Sequence, residues 1–265
     1  MAWRPLHEGH AIERVRVTCT FQADIRLKFT QRLAGFVEAK RSNFQLGPMR
    51  ELKGQGVVVQ VGPNGAVNAK TEEAIGWTFQ RTLPDQRVVE SVSFENGTLS
   101  YEVAEYTRWA PFHQRVVALL EDVVEELSTY DDMAVLALEY FDRFVYQGPA
   151  NESDPRAIFT LDSKMLPAAA LDAGHLWHVH RGWFEPSSRG ALLVNQNLDA
   201  QDGEFNGKPA RSVAVMTKVE ARSTHSQLSS ASLTDCLPEM HTRSKQVLQG
   251  ILEDDTIGMI GMRND

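Results

Sequence analysis

Two cysteines among 265 residues cannot build a disulfide framework, and Cys19 and Cys236 lack the close spacing of a metal site. Both stand in segments patterned like packed faces, so reduced, buried thiols too far apart to bridge are expected. Long apolar runs are missing as well. Stretches such as Val57 to Val59 fall far short of the roughly 20 residues that cross a bilayer, and Met1 to His10 lacks the apolar core of a secretory signal. A cytoplasmic protein without membrane contact is the expectation. Positive charge is in deficit too. Lys and Arg number 27 against 35 Asp and Glu, a formal charge of -8, and nucleic-acid binders ordinarily display a basic face, so no nucleic-acid partner is expected. Phosphate loops and Gly-x-Ser-x-Gly elbows do not occur. Gly54-Gln55-Gly56 lacks the third glycine of a dinucleotide fingerprint and follows a loop. Neither a serine nucleophile nor a cofactor is implied.

What remains is an ordinary globular composition, 42% hydrophobic and 23% charged. Ile12 to Phe21 alternates with period two and reads as a half-buried strand. Beyond Asp24, a plausible cap, Phe29, Leu33, Phe36 or Val37 and Phe44 recur at helical spacing until Gly47 and Pro48 stop the run. Strands are expected at Gly56 to Val61, Ala74 to Arg81, Val88 to Phe94 and Thr98 to Val103, the last two joined by Asn96-Gly97, a strong hairpin signal. Thr107 to Leu127 carries a continuous apolar stripe and is the clearest helix. Ala134 to Tyr146 then reads as a long strand and Asp162 to Ala173 as a short helix. Strands follow at His175 to Phe184, Ala191 to Leu198 and Arg211 to Ala221, and a closing helix runs from about Ser232 to Leu252. Residues 1–131 and 132–265 thus share an element order: strand, helix, antiparallel meander, long helix. The expected class is α+β, with antiparallel sheet or sheets, long helices packed on them, and two similar halves in one compact unit.

Several stretches point to a family. The strand His10-Ala11-Ile12-Glu13-Arg14-Val15, the helix entry Tyr106-Thr107-Arg108-Trp109-Ala110-Pro111-Phe112, the strand Leu138-Glu139-Tyr140-Phe141-Asp142-Arg143 and the terminal helix with Leu237 and His241 resemble a sporadically distributed bacterial family of uncharacterised proteins of about this length. The resemblance covers nearly the whole chain. It implies no established activity, only an analogy to accessory or defence-type systems. Asp142 stands where that family commonly has Asn, keeping an acceptor and losing a donor.

Candidate chemistry concentrates in His175 to Glu185, which holds three of the eight histidines. On a strand His178 and His180 share a face with Leu176, Gly182 and Phe184, and two such imidazoles can grip one metal if Asp142, Glu185 or Asp162 supplies a third ligand. A hydrogen-bonded role in the sheet is the commoner fate of such histidines, so no metal is expected. The second half's symmetry would bring His178 and His180 toward Tyr140 and Asp142, which share a face of their own strand. Glu139 and Arg143 read as partners in cross-strand ion pairs, His7 and His10 as part of a solvated terminus, and Asp199 to Pro209 as an acidic hairpin tip. The expected function is a non-enzymatic binding or regulatory module that acts through contact with a protein partner. The alternatives are a metal-dependent hydrolase centred on His178 and His180, and a small-molecule sensor with a pocket between helices and sheet.

Overall fold

A computed structural model describes the chain apart from residues 1, 23–26, 57–59, 62–66, 69–70, 161–162, 164–165, 173–175, 206, 226–227 and 263–265. It is a mixed α and β protein with one large antiparallel sheet and few helices. The strands in chain order are β1 (Ala2–Pro5), β2 (Ile12–Phe21), β3 (Arg50–Gly56), β4 (Gln60–Val61), β5 (Val67–Asn68), β6 (Thr71–Thr82), β7 (Val88–Glu95), β8 (Thr98–Val103), β9 (Met133–Gln147), β10 (Trp177–Ser187), β11 (Gly190–Phe205) and β12 (Lys208–Arg222). Ten of them form the sheet, in the order β10-β11-β12-β9-β2-β8-β7-β6-β3, with β1 continuing the line of β2 along β9; β4 and β5 make a separate ribbon.

Alternation explains why the sheet has one dry face. Val15, Val17, Cys19 and Phe21 of β2 are buried, and Leu99, Tyr101 and Val103 of β8 lie on the same side through direct pairing. Asn96 and Gly97 both have positive φ, 48° and 76°, as a two-residue hairpin turn between β7 and β8 requires. On the other face Arg14, Arg16, Glu102, Glu139, Lys218, Glu220 and Arg222 build ion pairs. Glu139 there meets Arg16 at 3.8 Å and Arg143 meets Glu13 at 2.9 Å, both across strands.

The helices are α1 (Leu27–Lys40), α2 (Trp109–Ser128), α3 (Ala168–Asp172), α4 (Ser232–Asp235), α5 (Leu237–Gln249) and α6 (Asp254–Met259). Phe112, Val116, Leu119, Leu120, Val123, Val124 and Leu127 form the buried stripe of α2. They belong to one cluster with Leu33 and Val37 of α1, Leu237, Met240 and Val247 of α5, and the apolar residues of β2, β8 and β9. Trp77 donates its indole N–H to the Thr30 carbonyl at 2.8 Å, tying α1 to β6. A second cluster gathers Trp3, Phe144, Phe159, Trp177, Leu198 and Ile251 at the far end of the sheet. Cys19 and Cys236 are both free and buried.

Four expectations change. The strand placed at Gly56 to Val61 is met only at its two ends, by the last residue of β3, which pairs with β6, and by β4, which pairs with β5; residues 57–59 are outside the described set. The closing helix is broken into α4 and α5 near Cys236, because Pro238 at the start of α5 has no N–H to bond backward. The amino terminus is docked at Trp3, which is buried against Tyr146 at 5.4 Å and donates to the Asp154 carbonyl, while His7, Glu8 and Gly9 are exposed as expected. Among the described residues of the short helix expected from Asp162 to Ala173, Ala168–Asp172 are helical. Asp24, Asp162, His175 and Asn206 lie outside the described residues.

Candidate functional site

Pairing registers decide which residues can meet. One line of directly opposed residues crosses eight strands: Arg81, Glu90, Val103, Val15, Tyr140, Thr217, Gln196 and Arg181. All lie on the dry face. Following the same registers from His180 leads through Asn197 and Met216 to Phe141, and from His178 through Asp199 and Ala214 to Arg143. His178 and His180 therefore occupy the opposite face from Tyr140 and Asp142, three strands away. The expected meeting of these four groups does not occur. Both histidines are exposed on the edge strand β10, His178 bonded to Asp199 and His180 to Asn197. Among the described residues no three His, Cys, Asp or Glu side chains are grouped as a metal site needs. Glu185 faces the helix side, where Arg243 of α5 and the Trp183 indole both donate to it.

Tyr140 and Asp142 do share a face, and both open into a cavity of ≈ 90 Å³. The β8–α2 connection supplies Tyr106, Thr107 and Arg108 to its wall, the first residue of α2 supplies Trp109, and α5 supplies His241, Ser244, Lys245 and Leu248. His10, Ile12, Thr217, Ile260 and Met262 complete it. The Tyr140 hydroxyl lies 2.9 Å from His241 Nδ1. Burial raises the Tyr140 pKa well above the ordinary phenol value, with Tyr106 and Asp142 adding to the rise. The hydroxyl thus stays protonated, in hydrogen-bond contact with the imidazole. Trp109 stacks on His241 with centroids 4.2 Å apart and planes 3° from parallel, and also on His113 at 5.0 Å. His113 in turn donates from Nε2 to the Leu233 carbonyl at 2.7 Å. Tyr106 stands edge-on to Tyr140 at 6.0 Å and to His10 at 6.3 Å. These contacts clamp the start of α2 against α5 across the sheet.

Asp142 is the anomaly of this site. It is 3% exposed, and among the described residues no donor hydrogen-bonds to it and no cation pairs with it. Burial alone pushes its carboxyl up from 3.8 to about 7. At the same cavity the His10 Nδ1 atom is buried without a hydrogen-bond partner. Burial, and then the charges of His7 and Arg108, lower the His10 pKa against the opposing backbone hydrogen bonds with Tyr106 and Ile12, which favours the neutral ring. A nearly buried carboxyl without a partner is expensive, on the order of 1–3 kcal/mol.

Beyond Tyr106 and Thr107 lies a second cavity of ≈ 210 Å³, and its chemistry is different. Buried Glu90 there accepts from the Tyr101 hydroxyl at 2.8 Å, from Arg115 Nε at 3.1 Å and from Arg81 Nε at 3.1 Å. That carboxylate is saturated, whereas Asp142 is not.

Tyr106, Trp109 and His241 stand out in the sequence as parts of separate motifs, but their meeting with Tyr140 and Asp142 does not. Helical or strand periodicity reports one element at a time, and Lys245 carries no local signal. No protein-family model matches the chain and no curated protein is significantly similar to it.

Proposed function

We propose that this protein is a binding module without catalytic chemistry of its own, and that the group it recognises enters the cavity between β9, the start of α2 and α5. The observation that carries this reading is Asp142, a nearly buried carboxyl without a partner at the wall of an open space. A purely structural position would pair such a group or replace it by an apolar residue. The clamp of Trp109, His241 and Tyr140 around the space supplies the preorganisation that a binding site needs. Ligand-observed NMR with a panel of small cationic, anionic and neutral fragments tests the proposal. Fragments should bind the native protein and fail to bind Ser244→Leu, whose added side chain fills the cavity. Fragment binding that survives Ser244→Leu, or no binding at all, overturns it.

A protein partner is the second reading, favoured by the open edge of β10, where Leu176 and Phe184 are 54% and 56% exposed. An internal duplication would account for the scaffold common to both readings. It is supported by the line across the sheet, in which Arg81 donates to Glu90 at 3.1 Å and Arg181 to Gln196 at 3.0 Å at mirrored positions. Trp77 and Trp177 precede those arginines by four residues in each half.

A further inference from the structure

We infer that the group received by the cavity is a small aliphatic ammonium, held by the Asp142 carboxylate and the rings around it. The inference rests on the proposed binding role of the same cavity. At its wall is a carboxyl that no cation neutralises among the described residues. An ionised carboxylate in such a place creates a negative potential that water cannot screen. The rings of Tyr106 and Tyr140 line the same space, and an aromatic face turned to a cation adds to the attraction because it carries negative charge density. An ammonium also brings up to three N–H donors. Acceptors for them stand at the wall in the Asp142 oxygens, the Thr217 hydroxyl oxygen and the Tyr140 oxygen.

An anion fits less well. The ionisable groups that face Asp142 are His10 from the segment before β2, Tyr106 and Arg108 from the β8–α2 connection, Tyr140 from its own strand, and His241 and Lys245 from α5. Burial holds Tyr140 protonated and lowers the pKa of His10. Arg108 is exposed and Lys245 is half-buried, so their charges belong to the mouth rather than to the enclosed end. An anion entering beside Asp142 would have to keep that carboxyl protonated.

Size sets the class. On the scale where a cavity of about 150 Å³ takes one benzene, ≈ 90 Å³ takes about four heavy atoms. Propylammonium meets that limit, and Leu248, Ile260 and Met262 offer apolar contact to its tail.

Binding couples to a proton. Below pH 7 the carboxylic acid must lose its proton to the buffer as the ammonium takes its place, so one proton leaves for each ligand bound. Calorimetric titration of the intact protein with propylammonium, propionate and propanol, at pH 6 and pH 8 in buffers of differing ionisation heat, tests this. Propylammonium alone should bind, roughly tenfold more weakly at pH 6 than at pH 8, with close to one proton released at pH 6. Asp142→Asn should weaken it by at least about tenfold and abolish proton release. Ser244→Leu, which keeps Asp142, should also abolish binding. Preferential binding of propionate or propanol, lost in Ser244→Leu, overturns the ammonium inference and leaves the cavity reading standing. Binding of propylammonium unchanged by Asp142→Asn overturns the inference as well. Failure of all three probes in the native protein overturns both.

Discussion

Replacing Asp142 by Asn should make the protein more stable at pH 8, not less, and the gain should vanish in acid. The reasoning starts from linkage. In the unfolded chain this carboxyl titrates near 3.8, and in the folded protein near 7 because of burial. Between those values the folded state holds a proton that the unfolded state has released, so stability falls as pH rises across the window. Below pH 4 both states are protonated and the cost disappears; above pH 7 it is complete. A rise from 3.8 to about 7, at ~1.4 kcal/mol per pKa unit, is a cost on the order of 4 kcal/mol. The group is only 3% exposed, so solvent screening does little to reduce that figure. Asn has nearly the same shape and no proton to lose. Its amide still has to find partners, which offsets part of the gain, and a net stabilisation of about 2–4 kcal/mol at pH 8 is expected. Urea unfolding of both proteins at pH 4, 5, 6, 7 and 8, followed by tryptophan fluorescence, measures the difference. Other carboxylates, including Glu139, titrate in both proteins and cancel. A difference that stays constant with pH, or an Asp142→Asn variant less stable than the native protein at pH 8, would refute the argument.

Two further outcomes are expected from the scaffold. A Cβ added at Gly76 would lie 1.9 Å from the Phe94 carbonyl oxygen in the paired strand, so Gly76→Ala should lower stability by about 2–4 kcal/mol, read as a fall in urea midpoint at unchanged slope. Cys19 is fully buried and its thiol is pushed up to about 12 by that burial, so at pH 8 an iodoacetamide reaction should label it only as fast as the protein opens. Mass spectrometry showing rapid native labelling of Cys19 contradicts this placement.

Faces of single elements are readable from the sequence because each reflects a local period. Val15, Val17 and Cys19 alternate into the core, the α2 stripe is buried as spaced, and Tyr140 and Asp142 point the same way. Edge strand β3 is harder to place. Its sequence, Arg-Glu-Leu-Lys-Gly-Gln-Gly, has little apolar alternation, and its position is fixed by pairing with β6 instead. The break at Pro238 is readable in principle, since proline at that point ends a backbone ladder.

The site is hidden at a different level, the parity between strands. Within β10 the sequence correctly puts His178 with His180, and within β9 Tyr140 with Asp142, but nothing in either strand says whether the two pairs share a face. A shift of one residue in any intervening register reverses the answer. Here the registers align Arg181, not its neighbour His180, with Gln196, Thr217 and Tyr140. A signal for that alignment does exist. Trp77-Thr-Phe-Gln-Arg81 in β6 and Trp177-His-Val-His-Arg181 in β10 place Trp and Arg at equal spacing, and both Trp77 and Trp177 are buried. Their shared parity puts each arginine on the dry face, which forces the residues between, including His178 and His180, to the other side. Weighing the tryptophans ahead of the histidines puts Asp142 and Glu185 out of reach of His178 and His180 and leaves Asp142 as the polar group of β9 that still needs a partner.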